Sequence, residues 1–277
     1  MPELPEVETV MRSLAPETEG APVTGVGGSR LAMRGGHPVD LPRFRRLVQG
    51  ADISGWRRRG KYLITSMSSG ASILWHLGMS GRMLITSKAG KRPPHCHLQL
   101  RLDRGRSLQL IDPRRFGQAI CLDDDAAVAE HPAFARMGPE PLSREFSARL
   151  LGRRLEGSRR PIKTALLDQN LVAGVGNIYA SESLFVAGID PRRESGTLTH
   201  AELVRLSRAI KSVLRRAITA CGTTLQDFTD GWGVKGQYRQ QLRVFARENE
   251  QCSRCSAQIE RVVQSGRSTF YCARCQS

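Results

Sequence analysis

Several features that would place a protein quickly are missing from this sequence. No stretch approaches eighteen consecutive apolar residues, the length at which a helix becomes a candidate to span a bilayer. The start, MPELPEVE, is acidic and has neither the basic region and apolar core of a signal peptide nor the arginine-rich character of a transit peptide. These two absences give the expectation of a cytoplasmic protein. A basic amphipathic helix with an aromatic face is also missing, which argues against a membrane-surface role. No internal repeat is evident. Cysteines are too unevenly placed for a disulfide framework: of seven, four form a tight group, and Cys96, Cys121 and Cys221 are scattered, which suits reduced thiols with one metal site. Carboxylates are scarce relative to their opposites, 26 Asp and Glu against 42 Lys and Arg, for a net charge of +16 and a pI near 10.4. Such an excess calls for a polyanionic partner, with nucleic acid first. Hydrophobic residues are not lacking: at 40%, with 25% charged, 277 residues can fold into two domains with their own cores.

The terminus itself carries possible chemistry. Initiator methionine is readily removed before proline, which would leave Pro2 as a terminal secondary amine. An α-amino group near pKa 7.7 to 8.0 is neutral in roughly one molecule in seven at pH 7, against about one in a few thousand for lysine, so it is the readier nucleophile. Glu3 follows as a carboxylate able to move protons. Val7, Val10, Met11 and Leu14 have the i, i+3, i+4, i+7 spacing of a buried helix face, with Pro5 in the first turn, and such a helix would hold the terminus still.

From residue 20 to 140 helical periodicity largely disappears. Residues 97–103, HLQLRLD, alternate strictly, placing Leu98, Leu100 and Leu102 on one face and His97, Gln99 and Arg101 on the other. Residues 72–77 and 107–111 are similar, and the set predicts an antiparallel β-sandwich. Within it, WRRRGKY would place Arg57, Arg59 and Lys61 on one face. HLGMSG presents Met79 from a glycine-flanked loop, and DPRRFG presents Arg114, Arg115 and Phe116 from a proline turn. His95 and His97 flank Cys96 without a third metal ligand, so a phosphate contact is expected of His97.

GPEPL, residues 138–142, marks the change to helical patterns. Residues 161–188 read as a short helix, a glycine-interrupted turn and a second helix with Asn177 at its N-cap, an arrangement that offers backbone N–H groups to phosphate. Residues 199–218 form the clearest helix, with Thr199 and Glu202 as a capping box and Leu203, Leu206, Ile210, Val213, Leu214 and Ala217 on one face. Residues 222–238 are long and glycine-rich for a packed connector, which predicts a mobile functional loop. Cys252-x2-Cys255-x16-Cys272-x2-Cys275 has the spacing of one closed, structural four-thiolate zinc site. Between the knuckles, residues 259–263 and 268–271 read as a hairpin with Arg267 projecting from its turn.

PELPEVET, RRGKYL, the 112–117 turn, IKTALLDQNLVAGVGNIYASESL and the cysteine knuckles, taken in order over essentially the whole chain, resemble the formamidopyrimidine-DNA glycosylases, bacterial base-excision repair enzymes. The resemblance implies an α+β fold with three parts: an N-terminal antiparallel β-sandwich with flanking helices over 2–140, a helix-two-turn-helix domain with a lesion-recognition loop over 141–240, and a β-hairpin zinc finger over 241–277. It implies Pro2 as nucleophile, Glu3 as proton carrier and Lys61 in the catalytic pocket. Arg267 would join this group through the phosphates around the lesion. Lys163 and Asn177 are expected to hold phosphates, with Arg115 among the DNA contacts. Met79, Arg114 and Phe116 would enter the duplex where a flipped nucleotide has left it. The implied reaction excises an oxidised purine and cuts the strand by β,δ-elimination through a Schiff base, which needs neither a redox cofactor nor a catalytic metal. The expected partner is damaged double-stranded DNA, bound by a monomer associated with the nucleoid. Val234, Lys235 and Gly236 stand where the family more usually has a Pro-Gly pair, a departure within the loop that the resemblance implies closes over the flipped base. Two rivals are a sister glycosylase for oxidised pyrimidines and a non-catalytic zinc-ribbon DNA-binding protein. PELPEV and Arg114 to Phe116 favour the purine branch.

Overall fold

The computed structural model describes residues 2–87, 92–224 and 228–277. They form two compact units, residues 1–135 with 220–237 and residues 136–219 with 238–277. This division differs from the three parts expected: the 220–237 segment goes with the N-terminal unit, and the zinc ribbon shares a unit with the helices. The reason is local bonding, described for each unit below.

The first unit contains α1 (Leu4–Thr18), β1 (Gly25–Gly28), α2 (Leu41–Leu47), β2 (Ile53–Arg59), β3 (Tyr62–Met67), β4 (Ser72–His76), β5 (Arg82–Thr86), β6 (Cys96–Arg101), β7 (Ser107–Ile111), β8 (Gln118–Leu122), α3 (Asp125–Glu130) and α4 (Pro132–Ala135). Two four-stranded antiparallel sheets, ordered β1-β6-β7-β5 and β2-β3-β4-β8, make the expected sandwich. Leu98, Leu100, Leu108 and Leu110 from one sheet and Leu63, Ile73 and Trp75 from the other share one core with Val7, Val10 and Leu14 of α1. Fully burying each such side chain stabilises by about 1.5–3 kcal/mol, so α1 is a fixed base for the residues that precede it. The polar face of β6 is not solvated as alternation alone suggests: Gln99 donates to Ser107 Oγ at 3.2 Å, and Gln109 does so at 3.1 Å. Those bonds satisfy polar groups that burial would otherwise penalise.

The second unit contains α5 (Ala148–Leu155), α6 (Ile162–Leu166), α7 (Asn177–Ala187), α8 (His200–Thr219), β9 (Glu260–Gln264) and β10 (Arg267–Tyr271). α8 has the expected capping box, with Thr199 N–H donating to Glu202 Oε2 at 2.8 Å and Glu202 N–H to Thr199 Oγ1 at 3.3 Å, and its expected apolar face is buried. The Glu182 carboxylate of α7 is fully buried and accepts the backbone N–H groups of Arg243, Val244 and Phe245 at 2.9–3.1 Å. This clamp attaches the segment leading into the ribbon to the helical core. The ribbon hairpin turns at Ser265 and Gly266, both with positive φ, as a two-residue primed turn requires. Arg267 is therefore the first residue of β10, paired with Gln264, rather than part of the turn.

Candidate nucleic-acid interface and catalytic terminus

Pro2 and Glu3 are both buried at the head of α1. Glu6 fixes them: its Oε2 accepts the Glu3 backbone N–H at 2.9 Å, while its Oε1 accepts the Thr223 backbone N–H at 2.7 Å. One buried carboxylate thus joins the terminus to the 220–237 segment. That segment is further held by Gly231 N–H on Ser13 Oγ (2.8 Å) and by Ile85 N–H on the Gly231 carbonyl (2.9 Å). Asp230 accepts the N–H groups of Trp232 and Val234 at 2.9 Å each, presenting both side chains outward, 54% and 60% exposed. Leu225 to Asp227 lie outside the described residues.

Lys61 is buried, but it does not lie on a strand face with Arg57 and Arg59. β2 ends at Arg59, and Gly60 and Lys61 form the tight turn into β3, with Gly60 at φ +58°. The turn is tied to α1 through Arg58, whose Nε donates to Glu8 Oε2 at 2.8 Å and whose guanidinium also reaches the Gly60 carbonyl. Burial alone would raise the Glu8 pKa, but the hydrogen bonds and charges of Arg58 and Arg12 outweigh it and hold the carboxyl below its usual value. Arg57 instead pairs with Asp125 at 2.8 Å.

His76, across the β3–β4 ladder from Tyr62, accepts the Gly78 N–H on Nδ1 at 3.0 Å. Desolvation by burial, then the nearby Arg34 and Lys61 cations, push its pKa down to about 4, so the ring is neutral near pH 7. Its bond to Gly78 opens the loop that presents Met79, 46% exposed. Gly78 has φ +63° and lies flat against the Phe116 backbone, where a Cβ would collide. Asp112 joins this loop to the next: its fully buried carboxylate accepts Ser80 Oγ at 2.6 Å, Gly117 N–H at 2.7 Å and Arg114 N–H at 3.3 Å. Phe116 stands out 44% exposed, with the Arg114 guanidinium 4.8 Å from its ring centroid. Arg115, exposed at φ +60°, completes the turn. Met79, Arg114 and Phe116 are thus brought together on two loops locked by one aspartate. His97 is not among them. Its ring is buried and committed at both nitrogens, to Ser29 Oγ at 2.8 Å and the Asp112 carbonyl at 2.9 Å. It supports the 112–117 turn from beneath, in place of the phosphate contact expected of it.

In the second unit, Lys163 of α6 and Asn177 of α7 converge on one atom of the ribbon, the Ser268 carbonyl, which accepts Asn177 Nδ2 at 2.9 Å and Lys163 Nζ at 3.5 Å. Arg267, exposed, is the adjacent residue. Gln169 shapes the turn between the helices, accepting Gly174 N–H at 2.9 Å and donating to the Val175 carbonyl at 2.9 Å. The N-cap of α7 is Gly176, not Asn177, whose side chain instead faces the ribbon. The buried Asn177 Oδ1 has no hydrogen-bond partner among the described residues. Lys163 is fully buried, while the half-buried Asn177 at the N-terminus of α7 and the exposed Arg267 suit a phosphate.

The sulfurs of Cys252, Cys255, Cys272 and Cys275 all lie within 4.8 Å of one another. Cys252 and Cys275 are 3.9 Å apart and Cys255 and Cys272 3.5 Å, close to the roughly 3.8 Å edge of a tetrahedron with Zn–S bonds of about 2.3 Å. Four thiolates fit one structural zinc ion, leaving no position for water.

A wedge of apolar and cationic side chains, a phosphate-type cluster and a four-cysteine ribbon define a nucleic-acid-binding α+β protein. Comparison with known proteins makes the assignment specific. Residues 1–119 match the formamidopyrimidine-DNA glycosylase N-terminal domain, 137–229 the formamidopyrimidine-DNA glycosylase H2TH domain, and 249–277 the zinc finger found in FPG and IleRS. The chain belongs to the formamidopyrimidine-DNA glycosylase family. Relatives bearing that name from Acidiphilium cryptum and Sphingopyxis alaskensis are each 46% identical, with full coverage of both chains. Among solved structures, MutM (FPG) from Thermus thermophilus is 38% identical at TM-score 0.87, covering 99% of this chain and 98% of that one. Wild-type Lactococcus lactis Fpg in complex with DNA containing N7-benzyl-Fapy-dG is 32% identical at TM-score 0.91, covering 99% of both. No helix among the described residues is long and apolar enough to cross a membrane.

Sequence reasoning passed over Glu6, Glu8, Asp112 and Glu182, all carboxylates that bond backbone or arginine. Glu6 was readable, standing three residues after Glu3 at a helix start, and Asp112 precedes a proline turn, where aspartate commonly bonds backbone two residues on. Glu8 and Glu182 meet partners 50 and 61–63 residues away, and no local pattern announces that.

Proposed function

We propose that this chain is a base-excision repair glycosylase and lyase that removes oxidised purines from duplex DNA as a monomer. The observation that carries the reading is the terminus: Pro2 and Glu3 are buried at a helix start fixed by Glu6, with Lys61 on a turn tied to the same helix. Once Met1 is cleaved, the Pro2 nitrogen attacks C1′ of the flipped nucleotide and the C1′–base bond breaks, the purine leaving with its electron pair and a proton. Glu3 transfers protons between the leaving base, the sugar oxygen and the amine. The C1′–O4′ bond then breaks, O4′ taking its electron pair and a proton from Glu3, and the iminium so formed acidifies the adjacent C2′ proton. Loss of that proton expels the 3′ phosphate, and a second elimination expels the 5′ phosphate. Lys61 places a cation beside the charge that develops in the pocket.

Met79, Phe116 and Arg114 fill the gap the flipped nucleotide leaves, the first two covering unstacked base surface and the third hydrogen-bonding the orphan base. Lys163, Asn177 and Arg267 hold the backbone, and zinc maintains the hairpin that carries Arg267. The exposed Trp232 and Val234 sit on the segment proposed to meet the extruded base. Association with the nucleoid follows from these DNA contacts.

The test is incubation with duplexes carrying 8-oxoguanine, an oxidised pyrimidine or an abasic site. Excision of 8-oxoguanine well ahead of the pyrimidine, with strand cleavage at the abasic site, is expected. Preference for the pyrimidine would move the chain to the sister branch, and inertness on all three would leave only a binding role.

A further inference from the structure

Unit two carries a cationic face that the DNA cluster just described does not use. α5 and α8 pack along one another: Gly152 of α5 sits against Leu203, while Lys211 lies 5.8 Å from the centroid of the Phe146 ring and 3.2 Å from the Ser143 carbonyl. The pairing of 152 with 203 and of 146 with 211 makes the two helices antiparallel. At 3.6 residues per turn, Arg149 and Arg153 of α5 and Arg208 and Arg215 of α8 then emerge on the same side of the seam, with Lys211 between them. α7 lies on the other flank of α8, where Arg205 Nε reaches the Ala187 carbonyl at 3.3 Å. All four arginines are exposed, and none is within ion-pair distance of a carboxylate among the described residues. α5 has no acidic residue, and Glu202, the sole acid of α8, is held by Arg193 and Thr199. A surface that served only solubility would mix the two signs.

We infer that this face binds the phosphates of a second duplex segment, so that one molecule touches two stretches of DNA at once. Two features favour a phosphate polymer over an acidic protein. The cations are mainly arginines, whose planar fork matches phosphate oxygens in pairs. The face also has no apolar anchor: among the described residues the exposed large hydrophobic ones, Leu31, Met79, Phe116, Trp232, Val234 and Val263, all lie elsewhere, and Val204 beside the seam is half-buried. Protein interfaces take most of their affinity from such anchors, whereas non-specific DNA binding needs only cations. The i, i+4 and i, i+7 spacings put guanidinium groups about 6 and 10.5 Å apart along the helices, roughly two and three nucleotide steps of 3.4 Å.

The experiment mixes full-length, zinc-loaded protein at low salt with two short duplexes, one carrying an energy donor and one an acceptor, each too short for two protein molecules. Wild-type protein should bring the labels together, with log bridging constant falling against log salt at a slope of about −3.6 for four phosphate contacts. Replacing the four arginines, Arg149→Gln with Arg153→Gln, Arg208→Gln and Arg215→Gln, should weaken bridging on the order of tenfold or more while leaving affinity for a single lesion duplex unchanged. Should that protein fail to fold, Arg149→Gln with Arg208→Gln carries the same expectation at half the change in slope. Bridging that survives the substitutions, or a wild type that never bridges, overturns the inference. Polyglutamate that displaces the second duplex as well as unlabelled DNA does would overturn it in favour of an acidic protein partner.

Discussion

Asp112 offers the sharpest test of how the wedge is built. Its carboxylate is fully buried and holds two loops at once, through Ser80 Oγ at 2.6 Å and Gly117 N–H at 2.7 Å, with a longer bond from Arg114 N–H. Net hydrogen bonds to a charged group contribute about 1.5–3 kcal/mol each, so the two short ones together contribute about 3–6 kcal/mol. Asp112→Ala should lower the urea unfolding free energy by an amount in that range. Asp112→Asn should recover most of it, because its remaining oxygen can accept the Gly117 N–H while the Ser80 hydroxyl rotates to accept from the new amide. Activity should follow loop order: the alanine variant should lose excision on an intact lesion duplex far more than on a substrate whose target nucleotide is already unpaired, and the asparagine variant should lose little on either. An alanine variant within about 1 kcal/mol of wild type, or one equally impaired on both substrates, would refute the view that Asp112 sets the two loops for extrusion.

Three further outcomes follow from the same geometry. Phe116→Ala should leave excision from an already unpaired nucleotide near wild type and slow it on the intact duplex, since the ring is 44% exposed with the Arg114 cation over its face. Chelation of zinc should unfold the hairpin that carries Arg267 and with it reduce DNA affinity, as followed by metal content and a binding titration together; metal-free protein binding normally would contradict this. His76 binds its proton less readily in the folded state, near pH 4, than unfolded, near 6.5, so its contribution is complete above about 6.5 and is lost as pH falls towards 4. The loss amounts to about 3 kcal/mol, and a His76→Asn variant should show that much less decline in unfolding free energy between pH 7 and pH 4.

The sandwich, the helices and the zinc ribbon were legible because each rests on a local period or spacing: alternation in β6 and β7, a 3.6-residue face on α1 and α8, paired knuckles of cysteine. Met79, Arg114 and Phe116 were legible as loop residues, but Asp112, the residue that makes them one group, forms bonds across 32 residues to Ser80. Alternation failed for Lys61 because Gly60 takes a positive φ and the strand ends at Arg59, two residues before it. It also failed for His97, since the second face of β6 is buried rather than wet. Residues 222–238 read as a free loop because glycine carries no packing signal, whereas Gly222 and Gly231 sit where a Cβ would press on Glu6 and Leu14. Their small size is what lets the segment lie against α1.

The central claim is that the Pro2 nitrogen carries the covalent step. Borohydride added during turnover on an 8-oxoguanine duplex should reduce the iminium to a stable protein–DNA adduct, and mass spectrometry of the digested adduct should place the sugar on the N-terminal peptide beginning at Pro2. Glu3→Gln should lose base excision while some cleavage at a preformed abasic site survives. An adduct mapped to Lys61, or full strand cleavage by protein that retains Met1, would contradict the account.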